Sequence, residues 1–268
     1  MLMSDINQNK PIRVLQVLHV LNRGGAEAMV MNLYRRIDRS RIQFDFLVHS
    51  QERGLFEDEI ELMGGRIFRI VPFKGYNLIS YYRNCLAFFK SHPEIPVVHG
   101  HLGSCAAYYL KAAKKYGKFT IAHSHSAGNI RSFYDLSYKL FSYPTRWVAD
   151  QLFGCSTEAG IARYGKNIIS SEKYQNFNNA VDTTKFKFNP KQRETTRHEF
   201  GIDENTLLIG TVGRVTLQKN PYRIYSIFKE IIKREPNAVC LWVGTGELED
   251  DIKRLISKDM LTQKIIMA

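Results

Sequence analysis

Nowhere in this 268-residue chain does an apolar run approach the roughly 20 residues that span a bilayer. A membrane-spanning helix is therefore not expected. The polar N-terminus, MLMSDINQNKP, lacks the apolar core of a signal peptide. Cysteine is scarce: Cys85, Cys105, Cys155 and Cys240 are scattered with no CxxC spacing. That pattern argues against a disulfide framework or a zinc knuckle and fits a reducing, cytoplasmic setting. Acidic residues are in deficit, 26 against 38 basic, which leaves a net charge of +12. Residues 1–182 hold 23 basic and 15 acidic groups, and residues 183–268 hold 15 and 11. No basic block or arginine-rich tail concentrates the excess, and no nucleic-acid recognition motif accompanies it, so no nucleic-acid partner is expected. Anionic lipid surfaces and phosphorylated small molecules are the partners such a charge favours.

What is present is alternation. IRVLQVLHV (12–20) is a near-continuous apolar run, as a parallel strand covered on both faces requires. NRGGAEAMVMNLYRRI then supplies a glycine turn and a helically spaced stretch from Ala26 to Ile37. The pattern recurs: IQFDFLVHS as strand, GLFEDEIELMGG as a helix closed by Gly64–Gly65, RIFRIVPF as strand, LISYYRNCLAFFKSH as helix. PVVHGH and KFTIAHSHS are further strands on either side of AAYYLKAAKKYG. The class is α/β with a mostly parallel sheet. YQNFNNAVDTTKFKFNP (174–190) is polar and Asn-rich, and it reads as a link between two domains. Beyond it βα units start afresh, with TLLIGTVG, NAVCLWVGTG and KIIMA as strands. Three strands in 86 residues are few for an open doubly wound sheet, and the chain stops inside an apolar strand. The expectation is a second domain that is incomplete and more labile than the first, in a chain that is a fragment or a truncated product.

Several loops could carry chemistry. NRGGAE (22–27) brings Gly24 and Gly25 to a helix start, where backbone can approach an anion, but its spacing is not the dinucleotide fingerprint. Two HxH pairs, His99/His101 and His123/His125, close predicted strands, at the sheet edge where open α/β folds bind ligands. An HxH pair in a strand places both rings on one face, which also suits a metal, but no carboxylate accompanies either pair. Ordinary buried histidines are the alternative for most of the four, with at least one facing a ligand. VGRVTLQKNP delivers Gly213, Arg214 and Lys219 to a helix start, with Asn220 as a possible cap and Pro221 in the first turn. A planar guanidinium fork and a point charge together suit a diphosphate. VGTGE (243–247) repeats the strand–glycine turn with Gly244 and Gly246.

GGAE opening a helix, HGHLGS, IAHSHS, NAVD at the link, GRVTLQKNP and VGTGELEDDIKRL together resemble the retaining glycosyltransferases of the GT-B fold, family four. Within that family they are most similar to bacterial exopolysaccharide and capsular polysaccharide enzymes. The resemblance implies two Rossmann-like domains facing across a cleft. Residues 1–182 would bind the acceptor and residues 183–268 would form a partial nucleotide-sugar domain. It implies Arg214 and Lys219 on the donor diphosphate, with Gly213, Gly244 and Gly246 in the same donor-binding set. Gly24 and Gly25 would approach the phosphates, and His125 would lie near the transferred sugar, with His123 as the other register. Asn179 and Asp182 would form the hinge. The donor would be linked to UDP or GDP, the acceptor a glycan or lipid-linked glycan, and no metal or other cofactor would be needed. Configuration would be retained by same-face attack within an ion pair, assisted by the leaving phosphate. The enzyme would be cytoplasmic, or peripheral on the inner face of the cell membrane. The family's acidic pair, Glu–seven residues–Glu, is absent, which puts the activity of this chain in doubt. A non-catalytic binding remnant is one alternative, and a metal-dependent hydrolase using the His pairs is the other. GYNLISYYRNCLAFFK (75–90) and RSFYDLSYKLFSYPTRWV (131–148) mix aromatics with Lys and Arg. They are read either as core helices with a solvated face or as a membrane-surface patch.

Overall fold

The computed structural model describes residues 10–126 and 139–268. The chain divides into two compact units, residues 1–182 and 183–268.

The first unit alternates strand and helix: β1 (Ile12–Leu18), α1 (Gly25–Tyr34), β2 (Ile42–Val48), α2 (Glu57–Leu62), β3 (Ile67–Arg69), α3 (Leu78–Ser91), β4 (Val97–Gly100), α4 (Ala106–Lys115), β5 (Phe119–Ser124), the single turn α5 (Thr145–Val148), β6 (Gln151–Gly154), α6 (Thr157–Tyr164) and β7 (Tyr174–Asn176). All seven strands pair in parallel in the order β3-β2-β1-β4-β5-β6-β7. The order reverses between β1 and β4, and in open α/β sheets ligands bind outside the strand C-termini at that reversal. Side chains alternate faces, so each strand feeds two cores. Leu15, Val17, Val98, Ala122 and Leu152 pack with Tyr81, Phe89, Tyr109, Leu110 and Tyr164 on one side. Leu18, Phe44, Phe46 and Val48 pack with Met29, Val30, Met31, Tyr34 and Ile60 on the α1/α2 side. Asp45 breaks the apolar run of β2 and is fully buried. Arg13 and Arg66 clamp its carboxylate from neighbouring strands, Arg13 Nε at 2.6 Å, which satisfies the charge that burial would otherwise penalise.

Residues 174–176, placed at the start of the link by sequence, are instead the seventh strand, hydrogen-bonded to β6. Three polar residues at a sheet edge carry no alternation to reveal them. The Tyr174 hydroxyl does the fixing: it reaches Ser156 O at 3.2 Å and Asn176 Oδ1 at 2.6 Å, and glycines at 154 and 160 leave the room it occupies.

The second unit comprises α7 (Pro190–Glu199), β8 (Leu207–Val212), α8 (Pro221–Arg234), β9 (Ala238–Val243), α9 (Glu249–Lys258) and β10 (Ile265–Met267). Asn189 caps α7 by accepting from Gln192 N at 3.0 Å, with Pro190 in the first turn. The sheet is parallel, in the order β10-β9-β8. Trp242, Phe228, Tyr225, Cys240, Ile252, Ile256 and Ile265 form its core. Strand β8 lies at an edge, with Leu207 and Val212 exposed.

Candidate functional site

Four histidines gather at the C-terminal ends of β4 and β5. The β4–β5 register pairs His99 with Ile121 and Gly100 with Ala122. His99, His101, His123 and His125 therefore share the sheet face that points away from Val98 and Ala122, on the α1 side. Gln16 of β1 is in register with His99 and faces the same way. The rings pack closely: centroids lie 4.3 Å apart for the tilted pair His99 and His101 and 4.1 Å apart for the stacked pair His123 and His125. Phe153 and Phe177 close over His123 edge-on. His101 Nδ1 is 2.8 Å from His125 Nε2, His101 Nε2 is 2.8 Å from Gln16 Oε1, and His123 Nδ1 is 3.3 Å from His99 Nε2.

Burial decides the charge state of these rings. Desolvation, reinforced by the neighbouring imidazoles, lowers His99 to about 3 and His123 to about 2. Desolvation and then Arg163 lower His125 to about 4, and desolvation places His101 well below its ordinary value. All four are neutral near pH 7, so each ring has one donor and one acceptor. Ligating nitrogens of His99, His101 and His123 lie within 4.8 Å of one another. Three neutral imidazoles are a donor set that zinc accepts, and the group contains no carboxylate. In this arrangement both nitrogens of His101 are spent on His125 and Gln16, while His123 Nε2 and His125 Nδ1 are buried without a partner.

Gly24 stands at the N-cap of α1 in extended backbone, its N–H donating to Asn22 O at 2.8 Å. A Cβ there would collide with the carboxylate of Glu27, while a Cβ at Gly25 would meet open space. The helix start thus carries an acid of its own, whose pKa burial raises. Asn179 is exposed, and Asp182 forms an ion pair with Arg36 of α1. Asn32 of the same helix donates to Ala180 O at 3.2 Å, so residues 180–182 are tied to α1.

In the second unit two glycine loops interlock. Gly213 N donates to Val243 O at 3.0 Å, Val215 N to Thr245 O at 3.0 Å, and Leu248 N to Val215 O at 3.1 Å. Gly244 has φ +135, and a Cβ on it would overlap the Gly213 carbonyl. A Cβ on Gly246 would overlap Val215 O. These two glycines are required by loop-on-loop packing, a reason that the sequence pattern did not reveal. On this support Arg214 is exposed, donating to Gln218 Oε1 at 3.2 Å. Lys219 is exposed at the end of a 3-10 turn, Leu217–Lys219. Asn220 does not cap α8 through its side chain as expected. It occupies the left-handed region at φ 52 and makes no capping bond, because the 3-10 turn must reverse there before Pro221 can start the helix. The β8–α8 loop is cationic, whereas α9 begins with Glu249, Asp250 and Asp251. Of the two helix starts, only the first suits an anion. A groove of about 590 Å³ between α7 and β8, lined by Asn189, Arg193, Arg197 and Thr206, includes neither Arg214 nor Lys219.

Sequence reasoning missed Gln16, His49 and Arg163. His49 follows β2 as His101 follows β4 and His125 follows β5, and it is buried with Nε2 2.8 Å from the Tyr81 hydroxyl. Gln16 had a signal too: it is the one uncharged polar residue in the apolar run of β1.

Residues 23–172 match the model of the family described as Glycosyltransferase Family 4. EpsF of Bacillus subtilis (strain 168), which carries a provisional glycosyltransferase name, is 28% identical over 258 residues, 95% of this chain and 67% of its own length. The Escherichia coli UDP-Gal:α-D-GlcNAc-diphosphoundecaprenol α-1,3-galactosyltransferase is 24% identical over 84% of this chain and 60% of its own. Anabaena HepE, solved with UDP and glucose, superposes with a TM-score of 0.76 at 15% identity, over 96% of this chain and 68% of HepE. The chain spans about two thirds of the length of these relatives. Its parallel α/β architecture is that of the GT-B glycosyltransferases, and with more than half of its length matched by the family model the chain belongs to Glycosyltransferase Family 4.

Proposed function

We propose that the protein transfers a hexosyl or N-acetylhexosaminyl group from a UDP- or GDP-linked donor to a glycan or lipid-linked acceptor in polysaccharide assembly, with retention of configuration. The observation that carries this reading is the cationic loop after β8. Arg214 and Lys219 stand exposed on a backbone held by the glycine interlock with the β9–α9 loop. Preorganised cations of this kind stabilise the charge that develops on a departing diphosphate, and they need no metal to do so. Gly213 gives the backbone close access to the phosphates. Gly24 and Gly25 are assigned to the same ligand, and His125 to the transferred sugar. Residues 1–182 take the acceptor role and residues 183–268 the donor role, with Asn179 and Asp182 at the join. The leaving phosphate assists attack from the same face, so no side-chain nucleophile is required.

A lipid-linked acceptor places the enzyme at the inner face of the cell membrane. No helix among the described residues is long and apolar enough to cross a membrane. Leu140 and Trp147 are 71% and 65% exposed beside Lys139 and Arg146, the mixture that an interfacial surface uses. Residues 131–138 of the same stretch lie outside the described residues. In the other stretch, Tyr81, Cys85 and Phe89 of α3 are core while Tyr76 and Ile79 are exposed. The E. coli relative's name specifies a diphosphoundecaprenol acceptor, which fits a membrane location.

Arg214→Ala tests the reading. Losing one charge-assisted contact to a developing anion costs about 2–4 kcal/mol of barrier. Transfer should therefore slow by a factor of about 30 to 10³, while affinity for the intact nucleotide-sugar falls less. Turnover equal to the parent's would remove Arg214 from the mechanism.

A further inference from the structure

On the α1 side of the first sheet, three polar side chains form a line: Gln16 from β1, His101 after β4 and His125 after β5. Each link is 2.8 Å long, Gln16 Oε1 to His101 Nε2 and His101 Nδ1 to His125 Nε2. A carboxamide oxygen only accepts, so His101 carries its hydrogen on Nε2. Burial keeps the ring neutral, and a neutral imidazole has a single N–H. His101 Nδ1 is then a bare acceptor and can meet His125 only if His125 Nε2 bears the hydrogen. His125 Nδ1 is consequently bare as well. That atom is buried and has no hydrogen-bond partner, an unmet acceptor whose burial carries a cost until a donor arrives.

We propose that Gln16 and His101 are positioning residues that hold His125 in the tautomer with a bare Nδ1, so that this nitrogen accepts a hydrogen bond from a hydroxyl of the transferred sugar. The inference rests on the reading of His125 as the sugar-facing residue and supplies what that reading lacks, a reason for the ring to present an acceptor rather than a donor. His99 packs on His101 at 4.3 Å between centroids and His123 on His125 at 4.1 Å, so these two rings wall the line and restrict rotation of its members. Because Gln16 is 1% exposed, water cannot readily substitute for its carbonyl. A site built this way rejects a sugar lacking the hydroxyl more strongly than one enlarged by a methyl group, since the missing donor strands a buried acceptor.

Long-range proton–nitrogen correlation on the full chain with ¹⁵N-labelled histidine reads each tautomer directly. The expected spectrum has bare Nδ1 and protonated Nε2 at both His101 and His125. A hydrogen on His125 Nδ1 in the unsubstituted protein would overturn the proposal, since it means that Gln16 presents its amide NH₂ and the line runs the other way. Gln16→Met, similar in volume but without the carbonyl, should turn His125 into a mixture of tautomers while His99 and His123 keep their pattern. A folded Gln16→Met protein that retains a single bare-Nδ1 signal at His125 also defeats the proposal. Titration with UDP-glucose and UDP-N-acetylglucosamine separates the two readings: the His125 Nδ1 resonance should move as it accepts a hydrogen bond. If it stays fixed while the nucleotide-sugar demonstrably binds, the relay stands and the assignment of His125 to the sugar fails.

Discussion

The two units use the same βα construction but equip their strand ends in opposite ways. In the first, β1 lies inside the sheet, and the polar groups at the C-terminal ends of β4 and β5 are buried or part-buried imidazoles that have shed their charge. In the second, the groups beyond β8 are an exposed guanidinium and an exposed ammonium. Desolvation explains the division. A histidine can enter a dry site by losing its proton, whereas an arginine cannot, so permanent charge stays at the surface unless a carboxylate accompanies it. On the proposed reading, the first unit discriminates by hydrogen-bond direction and the second attracts by charge.

Acid should break the comparison most strongly. His49 is lowered to about 4, mainly by burial, and joins His99, His123 and His125 as a group that titrates well below the ordinary 6.5. With the folded pKa depressed, the unfolded chain takes up protons first as pH falls. The stability these groups permit is complete above about pH 6.5 and is lost progressively down towards their folded values. At pH 5 each costs about 2 kcal/mol, not additively because the rings interact. The second unit holds one histidine, the exposed His198 of α7, and has no buried imidazole. Hydrogen exchange read by mass spectrometry at pH 7.5 and pH 5 should show protection falling in residues 10–126 well before 207–267. Parallel loss in both units would mean that the buried imidazoles do not govern the acid response.

Glycine substitution should give the next largest effect, confined to the second unit. Gly244→Ala places a Cβ against the Gly213 carbonyl at a φ of +135, and it should destabilise this unit by about 2–4 kcal/mol. Gly213→Ala meets nothing within 4 Å, and it should leave stability unchanged or raise it by about 0.5 kcal/mol. Denaturant melts followed at Trp242 in the second core would separate the two. Equal midpoints would show that the interlock of the loops is dispensable.

The sheet class and the order of elements were legible because buried parallel strands read as apolar runs and the covering helices as amphipathic ones. Strand β7 was not legible, since its residues, Tyr-Gln-Asn, are polar and owe their place to a tyrosine hydroxyl lodged against Gly154 and Gly160. At the site, the HxH spacing correctly put each pair on one face. It could not show that the pairs interleave, because that follows from the register of β4 against β5. Gly244 and Gly246 were visible as glycines, but their reason lies in a neighbouring loop. Asn220 was legible as a helix boundary and not as a left-handed residue, since the preceding 3-10 turn sets its backbone.

The smallest predicted effect concerns the basic–aromatic patch of the first unit that we propose meets the membrane. Trp147 is 65% exposed, next to Arg146, whose guanidinium lies 3.4 Å from the centre of the Tyr143 ring. Stacking of this kind keeps the cation near the aromatic surface while leaving it available to an anionic headgroup. Inserting part of one indole is worth roughly 1 kcal/mol, so Trp147→Ala should weaken binding to anionic vesicles about five-fold. Leu62 makes the control: it is 89% exposed in the same unit, but it sits on α2 behind Glu57, Asp58, Glu59 and Glu61. Leu62→Ala should change nothing, because the α2 carboxylates offset the arginines paired to them and leave no positive excess there to meet an anionic surface. Flotation with neutral and anionic vesicles at low salt decides between patch chemistry and general stickiness. If both substitutions weaken binding alike, or if Trp147→Ala acts equally on neutral lipid, the basic–aromatic patch is not what brings the first unit to the membrane.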